Sequence, residues 1–302
     1  MKTKILIFLI LNIFVLFKIK AQDTTIYIVD AQGSGDNTTI QAAIDNCIQT
    51  NFNYIIKVKS GNYNEQIVIK KPICISLTII PHESNITKPV VDATSLATDL
   101  KPYTLLVDST AFIEVKISGI SFVNQNSAYA NVLHVKNRCQ NLFFTDANFN
   151  GFSVINNDLS ENFNIVKIFD DDTKNIYFDR VFFQNGNISI NCPSNIYNCT
   201  LNIKNCDFEN YIFAGIFSEE NNLDIQFCKF HSPTPTSNST KYAVYSKAGY
   251  LNFNANKITQ HAFYSYPIWV SENTGDTYIT NNMITSNGIN HCVHITVDTS
   301  NV

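Results

Sequence analysis

The sequence predicts an all-β fold, a single-stranded parallel β-helix closed at its N-terminal end by a short helix. Three observations predict it. The first is a repeat: apolar residues at offsets 0, 2 and 7, with a small, apolar or Asn residue at offset 5. It fits Val115-Ile117-Ile120-Phe122, Leu142-Phe144-Ala147-Phe149 and Ile176-Phe178-Val181-Phe183. It continues through Leu201-Ile203-Cys206-Phe208, Leu223-Ile225-Cys228-Phe230, Leu251-Phe253-Asn256-Ile258 and, less closely, Thr277-Ile279-Asn282-Ile284. The starts lie 27, 34, 25, 22, 28 and 26 residues apart, a period that marks a solenoid. The second observation is composition. Of 302 residues, 45% are hydrophobic and 15% charged, against about 25% charged in an average globular chain, which excludes a disordered polyampholyte. The third is the residue type at offset 5, where Cys206, Cys228, Asn256 and Asn282 follow one another.

Apolar steps of 2, 3 and 2 describe a short strand, a bend and another short strand. Helical repeats would show a 3.6-residue period over ten or more residues, and leucine-rich repeats would hold Leu at fixed positions. A β-sandwich with coincidental spacing is the alternative. In a β-helix the offset-5 side chains form a ladder. Its Asn residues hydrogen-bond to each other and to the bend's backbone. Strands about 4.8 Å apart bring Cys206 and Cys228 near disulfide range, so the pair is either a bridge or two stacked buried thiols. Before the repeat, Thr38 and Gln41 have capping-box spacing. Ile40, Ala43, Ile44, Cys47 and Ile48 form one apolar face. A helix over about 39–49 therefore caps the N-terminal end, with Cys47 and Cys74 as candidate disulfide partners.

Residues 1–21 read as a cleaved signal peptide. Lys2 and Lys4 precede the apolar run Ile5 to Phe17, which is shorter than the roughly 20 residues of a spanning helix. Domain assignment follows: signal peptide 1–21, then a β-helix over 22–302. Cleavage removes four lysines and takes the formal charge from -4 to about -8. The mature chain is expected to be secreted, without a membrane span, and to bind no nucleic acid. In that compartment an even set of eight cysteines favours disulfides, and the sequons at Asn37, Asn85, Asn187, Asn198 and Asn238 are glycosylation candidates. The seven-residue spacing of Cys192, Cys199 and Cys206 lacks the His or Cys-x-x-Cys of a metal site. Asp170, Asp171 and Asp172 form a weak Ca²⁺ candidate, whose alternative is a solvated turn. No cofactor is called for.

Several stretches resemble the pectinesterase family of pectin-lyase-like β-helices. The match is dense over about residues 27–70. It runs through Val29-Asp30-Ala31-Gln32-Gly33-Ser34-Gly35-Asp36, Thr38-Thr39-Ile40-Gln41-Ala42-Ala43-Ile44 and Ile56-Lys57-Val58-Lys59-Ser60-Gly61-Asn62-Tyr63-Asn64-Glu65. Ile120-Ser121-Phe122-Val123-Asn124 and Asn148-Phe149-Asn150-Gly151-Phe152 resemble later coils of that family. The resemblance implies a right-handed β-helix. It also implies a reaction that needs two aspartates, two glutamines and an arginine. At the matching positions this chain has Ser153 and Val154 for a glutamine and an aspartate, Ile188 for the other aspartate, and Tyr129 for the other glutamine. Trp269 is preceded by Ile268 and not by Arg-Pro. Valine and isoleucine can neither attack an ester nor donate a proton.

The expected function is therefore binding of extracellular polysaccharide or matrix, with Tyr129, Asn131, His134 and Phe152 as carbohydrate contacts. One alternative is a carbohydrate-active enzyme, an esterase, lyase or hydrolase, that draws unusual acids from His134, Asp146 or Asp172. The other is a structural or surface β-helix with a protein partner at the C-terminal end of the solenoid.

Overall fold

Each coil is built from short strands whose alternate side chains turn inward and from corners of a single residue. The computed structural model describes residues 23–70, 74–110, 113–128, 131–136, 138–139, 141–152, 163–169, 175–193, 199–232, 240–260, 264–272, 275–286 and 292–296. The strands stack in parallel register into three faces. Face A is a ten-stranded sheet running from Thr24–Val29 to Thr277–Thr280. Faces B and C belong to one 17-stranded sheet, and the long strands Phe182–Cys192 and Asp207–Glu219 run through both. The protein is an all-β parallel β-solenoid, with one short helix among the described residues.

The corner from face A to face B explains the fixed spacing in the sequence. Gly119, Asp146, Arg180, Asn205, Phe227, Ala255 and Asn281 occupy it in successive coils, each with φ between 52° and 65°. One left-handed residue reverses the in–out alternation, which is why an apolar step of 3 separates two steps of 2. At Gly119 the demand is also steric, because a Cβ there would lie 2.6 Å from Pro81 Cγ.

The interior is a set of in-register columns. On face B, Phe122, Phe149, Phe183, Phe208 and Phe230 are buried one above another. The Phe183–Phe208 and Phe208–Phe230 rings stack at 4.7 and 4.5 Å. At offset 5, Asn256 Oδ1 accepts from the Cys228 backbone N–H at 2.8 Å, and Asn282 Oδ1 accepts from both Asn256 N–H groups at 2.8 and 3.1 Å. Cys206 and Cys228 sit directly below as two buried thiols, not as a bridge. Each points its Sγ at two backbone carbonyls. Cys47 and Cys74 are likewise buried thiols.

The helix spans Ile40–Asp45 and buries Ile40, Ala43 and Ile44, packing against Thr24–Val29, Asn53–Val58 and Ile67–Ile69. Its start differs from the capping-box expectation. Thr39 is the N-cap, accepting from Ala42 N–H at 3.2 Å. The carboxylate of Glu65, from the next coil, accepts from Ile40 and Gln41 N–H at 2.8 and 2.9 Å. Gln41 points away and brackets Val68, accepting from its N–H at 2.7 Å and donating to its carbonyl at 3.3 Å. Ile48, expected on the apolar face, is 70% exposed, because the helix stops before reaching it.

Candidate binding face

The outward side of face C carries the most distinctive chemistry. Register aligns Leu106, His134, Lys167, Asn191, Phe217, Tyr245, Trp269 and His294 in one column parallel to the coil axis. The column divides into a short basic part and a long aromatic part.

In the first part, His134 is only 4% exposed. It lies between Tyr103 and Phe169, each at 5.4 Å between ring centroids. Neither ring nitrogen has a hydrogen-bond partner among the described residues. Burial, with Lys136 and Lys167 nearby, pushes its pKa down to about 3, so the imidazole is neutral. It is a packed ring and not the exposed sugar contact or base expected from sequence. The Nζ atoms of Lys167 and Lys136 lie 4.4 and 5.5 Å from the Phe169 ring centroid, within cation–π range.

The other candidates do not gather around His134. Asn131 is buried, its side chain accepting from Asn164 N–H at 3.0 Å and its carbonyl from Asn124 Nδ2 at 2.8 Å; it holds a bend and faces no ligand. Phe152 is half-buried, 6.0 Å from Phe163. Asp146 sits at the corner between faces A and B, away from face C. There Arg180 grips both carboxylate oxygens at 2.7 and 3.0 Å and lowers its pKa. That pairing holds it as an anion. Ile188 is buried. Tyr129, Ser153, Val154, Asp170, Asp171 and Asp172 lie outside the described residues, as do residues 1–21 and the sequons at Asn198 and Asn238. Among the described residues no group of three His, Cys, Asp or Glu side chains could hold a metal ion, and no helix is long and apolar enough to cross a membrane.

Three of the sequons lie among the described residues. Asn187 is 2% exposed within Phe182–Cys192. The Asn37 Nδ2 is buried. Asn85 uses its whole amide, accepting from Ser60 N–H and donating to the Val58 carbonyl, both at 2.8 Å.

The second part of the column is one that sequence reasoning missed. Phe217 stacks on Tyr245 at 4.6 Å and 8°, Tyr245 on Trp269 at 6.5 Å and 15°, and Trp269 on His294 at 3.9 Å and 23°. Beside this ladder stand Phe213, Tyr242 and Tyr266. Tyr242 and Tyr266 meet Trp269 edge-on, at 87° and 83°, and Phe213 meets Tyr242 at 79°. All seven rings are half-buried, and burial beside Tyr245 and Tyr266 raises the Tyr242 pKa to about 12. The result is one continuous aromatic surface, polar only at its hydroxyl and ring-nitrogen tips. Contiguous exposed apolar surface of this kind marks interaction sites.

No family model matches the sequence, and no curated protein matches it. Among solved structures, the chain is similar to the deglycosylated pectin methylesterase from Aspergillus niger. Identity is 12%, coverage is 92% of this chain and 87% of that chain, and the TM-score is 0.45. It is also similar to pectin methylesterase from carrot, at 13% identity, 87% and 82% coverage and a TM-score of 0.39.

Proposed function

We propose that the protein is a secreted, non-catalytic binding protein for extracellular polysaccharide, held along the outer side of face C. The aromatic ladder from Phe217 to His294 carries this reading. A linear surface with one ring per coil suits a linear ligand with repeating apolar faces. Tyrosine and tryptophan bring large, rigid contact area with a polar tip for hydroxyl groups. The register column through His134 holds no carboxylate, and Asp146 is engaged elsewhere by Arg180; this favours binding over hydrolysis.

Trp269 is the only tryptophan in the chain, so intrinsic fluorescence reports directly on the ladder. Titration of the mature protein with a panel of neutral and acidic polysaccharides should give a saturable fluorescence change with at least one of them. Tyr245→Ala should weaken that ligand about tenfold or more, the equivalent of roughly 1.4 kcal/mol. A panel that leaves the fluorescence unchanged would sink the proposal. So would a Tyr245→Ala protein that binds like the wild type. Turnover of a bound polysaccharide would overturn the non-catalytic part.

A further inference from the structure

A second recess lies on the outer side of face B, away from the aromatic ladder. It is a groove of about 480 Å³. Three adjacent strands, Asp207–Glu219, Lys229–Ser232 and Lys257–Gln260, line it with six outward side chains. Register sorts these into two columns: Asp207, Lys229 and Lys257 in one, Glu209, His231 and Thr259 in the other.

The charges are not used up internally. Asp207 and Lys229 pair at 3.4 Å. Among the described residues, the side chains of Glu209 and Lys257 have no ion pair or hydrogen bond. The groove therefore has an unpaired carboxylate on its first strand and an unpaired ammonium on its third, with the His231 imidazole on the strand between them. Two strand spacings of about 4.8 Å, with a two-residue step of about 6.6 Å along the strand, separate the backbone positions of these ends by roughly 12 Å.

We propose that this groove binds a zwitterionic ligand of about that length, a short peptide with free termini, its ammonium on Glu209 and its carboxylate on Lys257. Three extended residues span about 10 Å, and the flexible Glu209 and Lys257 side chains cover the remaining distance. Charge-assisted hydrogen bonds would form at both ends. His231, on the middle strand, stands where the peptide groups between them would fall. A single amino acid is too short to reach both charges. A capped peptide lacks one of the two. The proposal is independent of saccharide binding on face C.

The test is calorimetric titration of the mature protein at low salt with trialanine, N-acetyl-trialanine, trialanine amide and free alanine. Trialanine should bind at least tenfold more tightly than the other three. Glu209→Gln should reduce trialanine to the level of its N-acetyl form without altering the N-acetyl form itself. Lys257→Met should do the same with respect to the amide. Circular dichroism of each variant should match the wild type, since both side chains lie on the surface. Equal binding of capped and free peptides, or no heat with trialanine at millimolar concentration, would overturn the proposal.

Discussion

Glu65, half-buried, and His134, buried, are titratable side chains whose surroundings both disfavour the charged form. The Glu65 carboxylate accepts two backbone N–H groups at a helix start; these offset part of its desolvation, which still raises its pKa. His134 has aromatic rings on both sides and nothing for its nitrogens among the described residues. Its folded pKa of about 3 lies far below the roughly 6.5 of an unfolded histidine. As pH falls from 6.5 towards 3, the unfolded chain takes up a proton that the folded chain refuses, so stability is lost across that window. His134→Phe should remove this loss. Its stability gain over wild type should grow from pH 7 to pH 4, reaching on the order of 3 kcal/mol. Urea midpoints at the two pH values decide it: an identical gain at both would show that His134 does not titrate as described. In sequence His134 reads as a carbohydrate contact, and nothing local signals its burial. Tyr103 and Phe169, which cover it, come from parts of the chain 31 and 35 residues away, and local spacing carries no trace of them.

At the scale of elements, the stretch that most resembles pectinesterases proves to be one structural unit. Glu65 caps the helix, Gln41 brackets Val68, and the Tyr63 hydroxyl donates to the Lys59 carbonyl at 2.9 Å. These residues build and close the first coil, so their pattern carries information about fold and none about a reaction. Glu65→Ala should cost about 1–3 kcal/mol, because it leaves two helix-start donors without their acceptor. Glu65→Gln, which keeps one acceptor oxygen, should cost less. Amide exchange at Ile40 and Gln41 should quicken in step with the stability loss; unchanged protection there would refute the capping role. Faces A and B were legible because one corner residue joins their strands at constant spacing. Face C was not. Phe217, Tyr245, Trp269 and His294 fall 16, 22, 18 and 17 residues after the starts of their repeats. The connections between faces B and C vary in length, and a fixed-offset pattern cannot follow a column through them.

Over the whole molecule, each coil buries its inner face against its neighbours alone. Burial declines at the C-terminal end. Ile279 and Ile284 are only partly buried, and Val293 and Ile295 are 37% and 55% exposed, whereas the same columns one coil earlier, at Phe253, Ile258, Ile268 and Val270, are closed to solvent. Local opening should therefore begin at this end. Amide hydrogen exchange should be fastest in Thr277–Thr280, Met283–Ser286 and Val293–Thr296 and slowest in the strands that carry the phenylalanine column. Uniform protection along the axis would show that the solenoid opens as one unit.

The single-residue corners have a mechanical consequence. A chain that turns from face A to face B in one left-handed residue stores no slack there. Strands in register resist being slid past one another only as far as the next coil. A pull applied at the two ends of the solenoid would thus meet its coils in succession, beginning at the less buried end. The molecule would lengthen in increments of one coil, and the aromatic ladder would shorten rung by rung while the remaining rungs kept their spacing.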